Sequence, residues 1–460
     1  MKSDIIIIGG GASGLMAAYH AARTLRDCGS CDSVTVLEKM PRPARKMMIS
    51  GKGRCNFTNL KEWADFSGHI RSNPALVKSS FHNFTSRKSI DFFEEFGLET
   101  VVERGDRAFP ASHRASDVID TLVSACHSVG VKIVTETPVT DIRPESPGGF
   151  SVNCSEQGLW HCRRLVIATG ALSYPGTGST GDGYAWARSL GHSISPLFPS
   201  LTALVPEGYK LCPERDSLSL PHHIPRETPL SPLGEKFCGI SLKNVGLQLL
   251  IDGNPSAEEF GDIDFTDGGI EGPAGFLLSR KAVKSMLNGS RVTLLLDLKP
   301  GVSLTEVTTR VKELWSQIDK DPRSRGLREK ERCRILLGKL LPWELVPPFI
   351  ALNPGIMTLE RRGRTDSKVW VNLSDIARTL KCWRFELEGF VGYERSVVTA
   401  GGVKAEEIIP KTMGSRIVKG LYFCGEVLDI DCDTGGYNMQ AAFSTGALAG
   451  MSAAKSLVQE

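Results

Sequence analysis

The sequence predicts an α/β fold: a βαβ unit opening a parallel sheet, then an inserted unit that is β-rich first and helical afterwards, then a return of strand signals. Three observations carry this. A strand, a glycine turn, a helix and a second strand follow one another within the first 38 residues; the composition turns proline-rich after Gly191; and the strand-then-glycine pattern returns only near the end. The expected domains are residues 1–193, the first part of the sheet domain; 194–345, the insert; and 346–460, the second part. With 460 residues the chain exceeds one ordinary domain, so two or three compact units are required.

Asp4-Ile-Ile-Ile-Ile8 is an apolar β-rich run that stops at Gly9-Gly-Gly-Ala-Ser-Gly14; Leu15 to Leu25 has helix-forming composition, and Ser33 to Glu38 reads as the second strand of a βαβ unit. Residues 41–58 form a basic, glycine-bearing loop. Helices are predicted over Ser89 to Phe96 and Ala115 to Val129. Short β-rich runs at Lys132 to Glu136, Phe150 to Cys154 and Arg163 to Ala168 read as a small meander returning to the main sheet. In the insert, prolines from 196 to 232 leave no long helical period before about Val283. Ser303-Leu-Thr-Glu306 is a capping box opening a helix toward Ile318, and a second helix covers Glu329 to Leu341. Strand signals follow at Lys368 to Val371, Arg384 to Val391 and Val397 to Thr399. Gly420 to Gly425 and an apolar helix from Asn438 to Leu457 complete the pattern.

Composition excludes several classes. The apolar fraction is 41% and the charged fraction 23%, and no run of 18 apolar residues could span a bilayer. Asp4 precedes the first apolar run and Gly9 interrupts it, unlike a signal peptide, so a cytoplasmic location is expected. Twelve irregularly spaced cysteines do not form a disulfide framework, and Cys28-Gly-Ser-Cys31 lacks the second pair a zinc site needs. The net charge of +3 is too small to argue for nucleic acid. The basic cluster from Arg323 to Arg334 is interleaved with Glu329 and Glu331, and with Arg361-Arg-Gly-Arg364 it reads as solvated surface.

Gly9, Gly11 and Gly14 form G-x-G-x-x-G in the right context, after a strand and at the head of a helix. Gly9 allows a tight turn, Gly11 lets the backbone approach a pyrophosphate, and Gly14 lets helix pack on strand; Ala12 and Ser13 lie in the N–H-rich first turn. Glu38, at the end of the second strand, suits an adenosine ribose. The other end of the chain makes the dinucleotide FAD. Gly425-Glu426 and Asp429 suit ribityl hydroxyls, and Gly436-Tyr437-Asn438 at a helix N-terminus suits the pyrimidine edge of an isoalloxazine. The loop from Lys46 to Asn59 adds cations, glycines and amides fit for phosphate and ring polar atoms.

These segments, with Phe109-Pro-Ala-Ser112, Ala115-Ser-Asp-Val118, Gly178 to Tyr184 and Thr399-Ala-Gly-Gly-Val403, resemble the bacterial FAD flavoproteins known as aminoacetone oxidases or 3-dehydro-bile-acid delta(4,6)-reductases. The resemblance spans the chain and implies a glutathione-reductase-type FAD-binding Rossmann domain interrupted by the insert. It puts Gly51, Arg54, Asn56, Thr169, Gly170, Gly181, Asp182 and Gly183 near noncovalent FAD. Lys39, Lys46, Cys55, Thr58, Val139, Ala168 and Met439 complete the expected cofactor set. Many relatives carry His and Ser where this chain has Asp267 and Glu271. Elsewhere in the insert, His222 and His223 lie in a proline-rich loop and read as structural.

The reaction implied is reduction. NADH or NADPH reduces the flavin, and hydride passes to an activated double bond of a hydrophobic small molecule in a cleft between the FAD domain and the insert. Tyr437, Lys52 and Arg54 are the candidate proton donors, since their motifs belong near the ring. An oxidase of an amine or alcohol is the second reading, and a flavin-containing RNA-binding or regulatory protein the third.

Overall fold

Ile5, Ile6, Ile7 and Ile8 are buried, none more than 4% exposed. They form strand β1 (Ile5–Ile8) at the middle of a parallel sheet in a computed structural model that describes residues 1–211, 220–362 and 366–460. Beside β1 lie β2 (Val34–Leu37) and then β3 (Lys132–Val134). On its other side lie β4 (Arg164–Ile167) and then β5 (Leu421–Phe423). A strand covered on both faces has no polar side to show, which is why β1 reads as unbroken isoleucine. Two short antiparallel strands, Gly414–Ser415 and Ile408–Ile409, extend the edge beyond β5.

Helix α1 (Ala12–Asp27) follows β1, and helix α2 (Gly435–Val458) follows β5. The two pack against each other along their length. Their close approach depends on Gly446 and Gly450, where a Cβ would overlap the carbonyl oxygens of Ser13 and Ala17. Of the expected meander, Lys132–Val134 and Arg164–Ile167 belong to the main sheet. Between them Val139–Pro144, Phe150–Cys154 and Gly158–Cys162 form a separate three-stranded antiparallel sheet.

Contacts divide the chain into one unit of Met1–Ser200 with Ser396–Glu460 and a second unit of Leu201–Arg395. The start of the second unit lies close to the expected 193/194, but its end is at 395/396 rather than 345/346. The reason is barrel closure. Six strands form a closed barrel in the order Leu204–Pro206, Gly269–Glu271, Asn254–Thr266, Ser241–Ile251, Val292–Asp297 and Trp383–Phe390, the last pairing with the first. The strand expected at Arg384 to Val391 therefore closes the insert's barrel instead of rejoining the parallel sheet.

Phe237 packs on Phe265 at 4.7 Å between ring centroids, and Trp383 on Phe385 at 4.8 Å. Around the barrel are helices Gly272–Leu287, Leu304–Lys320, Glu329–Gly338, Val346–Leu352 and Leu373–Lys381. The first of these begins 11 residues before the helical period expected near Val283, because Pro273 at the opening of a helix is a compatible residue rather than a breaker. Arg364 lies outside the described residues.

Candidate functional site

The glycine turn has the geometry its sequence demands. Gly9 has φ of +103°, and a Cβ there would come within 2.5 Å of the Ala168 carbonyl oxygen, so the turn admits only glycine. A Cβ on Gly14 would overlap the Gly9 carbonyl, while Gly11 has nothing within 4 Å of that position. The first and third glycines are thus filled by protein, and the middle one faces open space. No side chain caps the N-terminus of α1, so its first-turn N–H groups, from Ala12 and Ser13 among them, remain available to an anion.

Glu38 is 8% exposed and both its oxygens are engaged: Oε2 accepts the Gly10 N–H at 2.7 Å, and Oε1 the Met40 N–H at 2.8 Å. Burial raises its carboxyl above the ordinary value, and the two backbone donors offset this only in part. A carboxylate accepts about four hydrogen bonds, so capacity for sugar hydroxyls remains. The Thr137 N–H bonds the Glu38 carbonyl at 2.9 Å, bringing the strand that begins at Val139 beside it. Lys39 pairs with Asp182 at 2.7 Å. Asp182 opens the helix Asp182–Ser189 behind Gly181. Gly183 lies against Thr169, where a Cβ would overlap Oγ1; Ala168, Thr169 and Gly170 follow β4 directly.

At the other end, Gly425 sits on Ser13, where a Cβ would overlap the Ser13 hydroxyl. Glu426 is held by three donors: Lys46 Nζ at 2.6 Å, Ser173 Oγ at 2.8 Å and the Thr399 N–H at 2.8 Å. Four segments separate in sequence are thereby joined at one carboxylate. Asp429 is half-buried, and its carboxylate has no hydrogen-bond partner among the described residues. Gly436, in the first turn of α2, lies over Asn56, where a Cβ would come within 2.7 Å of the side-chain amide. No side chain caps this N-terminus either.

Other expected contacts are committed inside the fold. The Thr58 hydroxyl donates to Gln440 at 2.6 Å in a fully buried setting. Asn438 closes its own turn, accepting the Cys432 N–H at 3.0 Å and donating to the Cys432 and Thr434 carbonyls. Cys55 is buried, with its thiol pushed up to about 11 by burial, and Met439 is half-buried. Gly51, Lys52 and Cys55 all have φ near +57°, so the loop is a succession of left-handed positions.

The proposed proton donors fare unequally. Arg54 is ion-paired with Glu103 and lies 4.4 Å over the Phe109 ring. Tyr437 is 5% exposed, and burial, then the Asp433 charge, push its phenol up to about 12. His69, singled out by no motif, stacks on Tyr437 at 4.1 Å and 17° between planes, and its Nδ1 lies 2.9 Å from Asp433. In the second unit, Arg395 pairs with both Asp267 and Glu271. His223 pairs there with Glu394 at 3.2 Å, and His222 Nδ1 lies 3.1 Å from the Glu388 carbonyl.

Among the described residues, open space at Gly11 and two uncapped helix N-termini fit the anionic centre, and an unpartnered carboxylate at Asp429 the hydroxyls, of a long polar ligand such as a dinucleotide. Among the described residues no helix is long and apolar enough to cross a membrane. Comparison with known proteins agrees with the resemblance seen in the motifs. The model of the HI0933-like protein Rossmann domain matches residues 3–452. The chain is 30% identical over 449 residues to a 3-dehydro-bile acid delta(4,6)-reductase of Clostridium scindens, covering 98% of each chain. It is also 32% identical over 451 residues to a ribosomal RNA dihydrouridine synthase of Haemophilus influenzae, covering 96% of each, and 28% identical over 446 residues to that of Escherichia coli. The last two names reopen the nucleic-acid question that composition had answered in the negative.

Proposed function

Since the chain belongs to the HI0933-like family of FAD-dependent Rossmann-domain oxidoreductases, we propose that it reduces a carbon–carbon double bond conjugated to a carbonyl, with NADH or NADPH as electron donor. The observation that carries this is the agreement between full-length relatives of otherwise unlike substrates. A delta(4,6)-reductase of a 3-dehydro bile acid and a dihydrouridine synthase both saturate such a bond. Bound FAD would supply a carrier that takes hydride from a nicotinamide and releases it to carbon.

In this reading the protein binds, orients and protonates. The α1 N-terminus at Gly11, Ala12 and Ser13 would take the pyrophosphate, Glu38 a ribose, Asp429 the ribityl chain, and the α2 N-terminus at Gly436 and Tyr437 the ring edge that gains negative charge. The Lys46–Glu426 pair, anchored by Ser173 and Thr399, would hold the two chain ends in register around the ligand.

A hydrophobic small molecule is the leading substrate class. Uridine in RNA is the second, favoured by the two synthase relatives and by exposed Arg323 and Arg328 at 94% and 83%. Much of that basic charge is answered locally: Arg328 bonds Glu331 at 2.7 Å, and Arg332 bonds Asp319 at 2.9 Å. This keeps the small molecule ahead. Anaerobic stopped-flow tests both points. NADH or NADPH should bleach the flavin within seconds, and a 4-en-3-one steroid should restore the colour. Colour restored only by a uridine-containing ribosomal RNA fragment moves the substrate to RNA. Colour restored only by oxygen after an amine or alcohol has bleached the enzyme makes it an oxidase and refutes the proposal.

A further inference from the structure

Saturating a conjugated double bond requires two additions: hydride at the carbon remote from the carbonyl, and a proton at the carbon beside it. Hydride brings both electrons, which come from the nicotinamide through the flavin. The proton has to come from an acid that water can recharge. Tyr437 serves poorly, since it is almost wholly buried and its phenol is pushed up to about 12.

The residue stacked on it has the attributes Tyr437 lacks. His69 ends the turn Ser67–His69 and is 38% exposed, so one edge meets solvent. Its other edge is fixed three ways. The Asp433 N–H bonds the His69 carbonyl at 3.0 Å, the Asp433 carboxylate lies 2.9 Å from Nδ1, and the Tyr437 ring supports its face. Arg71 donates to both oxygens of the same carboxylate, which is 7% exposed, and so fixes its orientation toward the ring. A carboxylate at Nδ1 requires the proton there, leaving Nε2 as the atom that gains and loses the second proton. Nε2 has no partner among the described residues. This is the division of labour of a histidine oriented by an aspartate in other proton-transfer sites.

We propose that His69 is the acid of the reaction, with Asp433 and Arg71 as positioning residues and Tyr437 as the platform; the inference rests on the double-bond reduction proposed above. As hydride bonds to the remote carbon, the π electrons move toward the carbonyl, and the carbon beside it takes the Nε2 proton. His69 is left neutral, with its remaining proton on Nδ1 toward Asp433, and water restores the second. The charged and titratable groups that face this pair are Asp433 directly and Arg71 through it, with Asp106, Asp65 and the Cys432 thiol acting on Tyr437 through space.

His69→Gln in the FAD-loaded protein tests this with two readouts. The first is the flavin absorption spectrum titrated with acid and base. The wild type should show a one-proton spectral transition that is absent in H69Q at equal flavin content. A transition unchanged in H69Q overturns the assignment whatever the acceptor. The second is reoxidation of the NADH- or NADPH-reduced enzyme by a 4-en-3-one steroid or a uridine-containing RNA fragment. It should slow by about 10²- to 10⁴-fold in H69Q, while bleaching by the nicotinamide keeps its rate. Reoxidation within threefold of wild type overturns the role. If neither acceptor reoxidises the wild type, the double-bond reading falls, and the spectral titration still decides whether His69 exchanges a proton beside the flavin. His69→Asn serves if the glutamine variant fails to hold FAD.

Discussion

Replacing Glu38 with alanine should separate two roles of one carboxylate. Its oxygens accept the Gly10 and Met40 N–H groups at 2.7 and 2.8 Å. Each hydrogen bond to a charged group is worth about 1.5 to 3 kcal/mol, so their joint loss is about 3 to 6. Part is returned, because burial outweighs the two donors and leaves the carboxyl raised above 4.5. For an acid whose folded value exceeds its unfolded one, the shift opposes folding at neutral pH; the opposition fades as pH falls through the raised folded value and is gone below the unfolded one. The net loss for the apoprotein should then fall below that sum, read by denaturant unfolding. FAD affinity should fall by a further 1 to 3 kcal/mol, roughly 5- to 150-fold, read by fluorescence titration of the apoprotein. The sign of a pH effect follows. Ribose hydroxyls donating to Glu38 would favour its ionised form, so FAD should bind more tightly as pH rises from about 4.5 through the raised value. Glu38→Gln should flatten that dependence. An unchanged FAD affinity in E38A, or an unchanged pH slope in E38Q, would refute placement of the ribose at this carboxylate.

Gly436→Val should lower flavin content without loss of fold, since the new Cβ meets the Asn56 amide at 2.7 Å; absorbance per mole set against circular dichroism decides it. Replacing residues 201–395 with a short glycine linker should leave a yellow protein, because Phe198–Ser200 already pairs with Val398–Ala400 and brings the cut ends together. A folded but colourless product would show that the insert holds the cofactor. Arg395→Ala leaves Glu271, whose side chain is 12% exposed, without its partner and should cost about 3 to 5 kcal/mol in thermal or denaturant unfolding. Wild-type stability would mean that the pair is solvated.

What could be read in the sequence was local. Gly9 and Gly14 announce themselves because each answers a local backbone demand, a φ of +103° at Gly9 and close packing on the Gly9 carbonyl at Gly14. The same holds for Ser303, whose hydroxyl accepts the Glu306 N–H at 3.3 Å while Glu306 reaches back to the Ser303 N–H at 2.8 Å. The barrel was illegible for the opposite reason: Leu204 pairs with Phe390, and no spacing rule joins strands so far apart. Without that pairing, Trp383–Phe390 reads as a return to the parallel sheet. His69 was missed for the same cause, as a lone histidine in a loop whose meaning comes from Asp433, 364 residues away. The side-chain role of Asn438 was equally unreadable, because its bonds to Cys432 and Thr434 tie a turn that no motif describes.

Gly446 and Gly450 lay the last helix on the first, and this sets an order on synthesis. At ~5–20 residues per second, a ribosome takes roughly 20 to 80 s to travel from the end of α1 to the start of α2. For all that time the apolar face of α1 lacks its cover, and β4 lacks β5 as a neighbour. The barrel needs only residues 201–395 and can close while the nascent chain is still attached. A message truncated before codon 435 should therefore yield a folded barrel tethered to an open, aggregation-prone sheet.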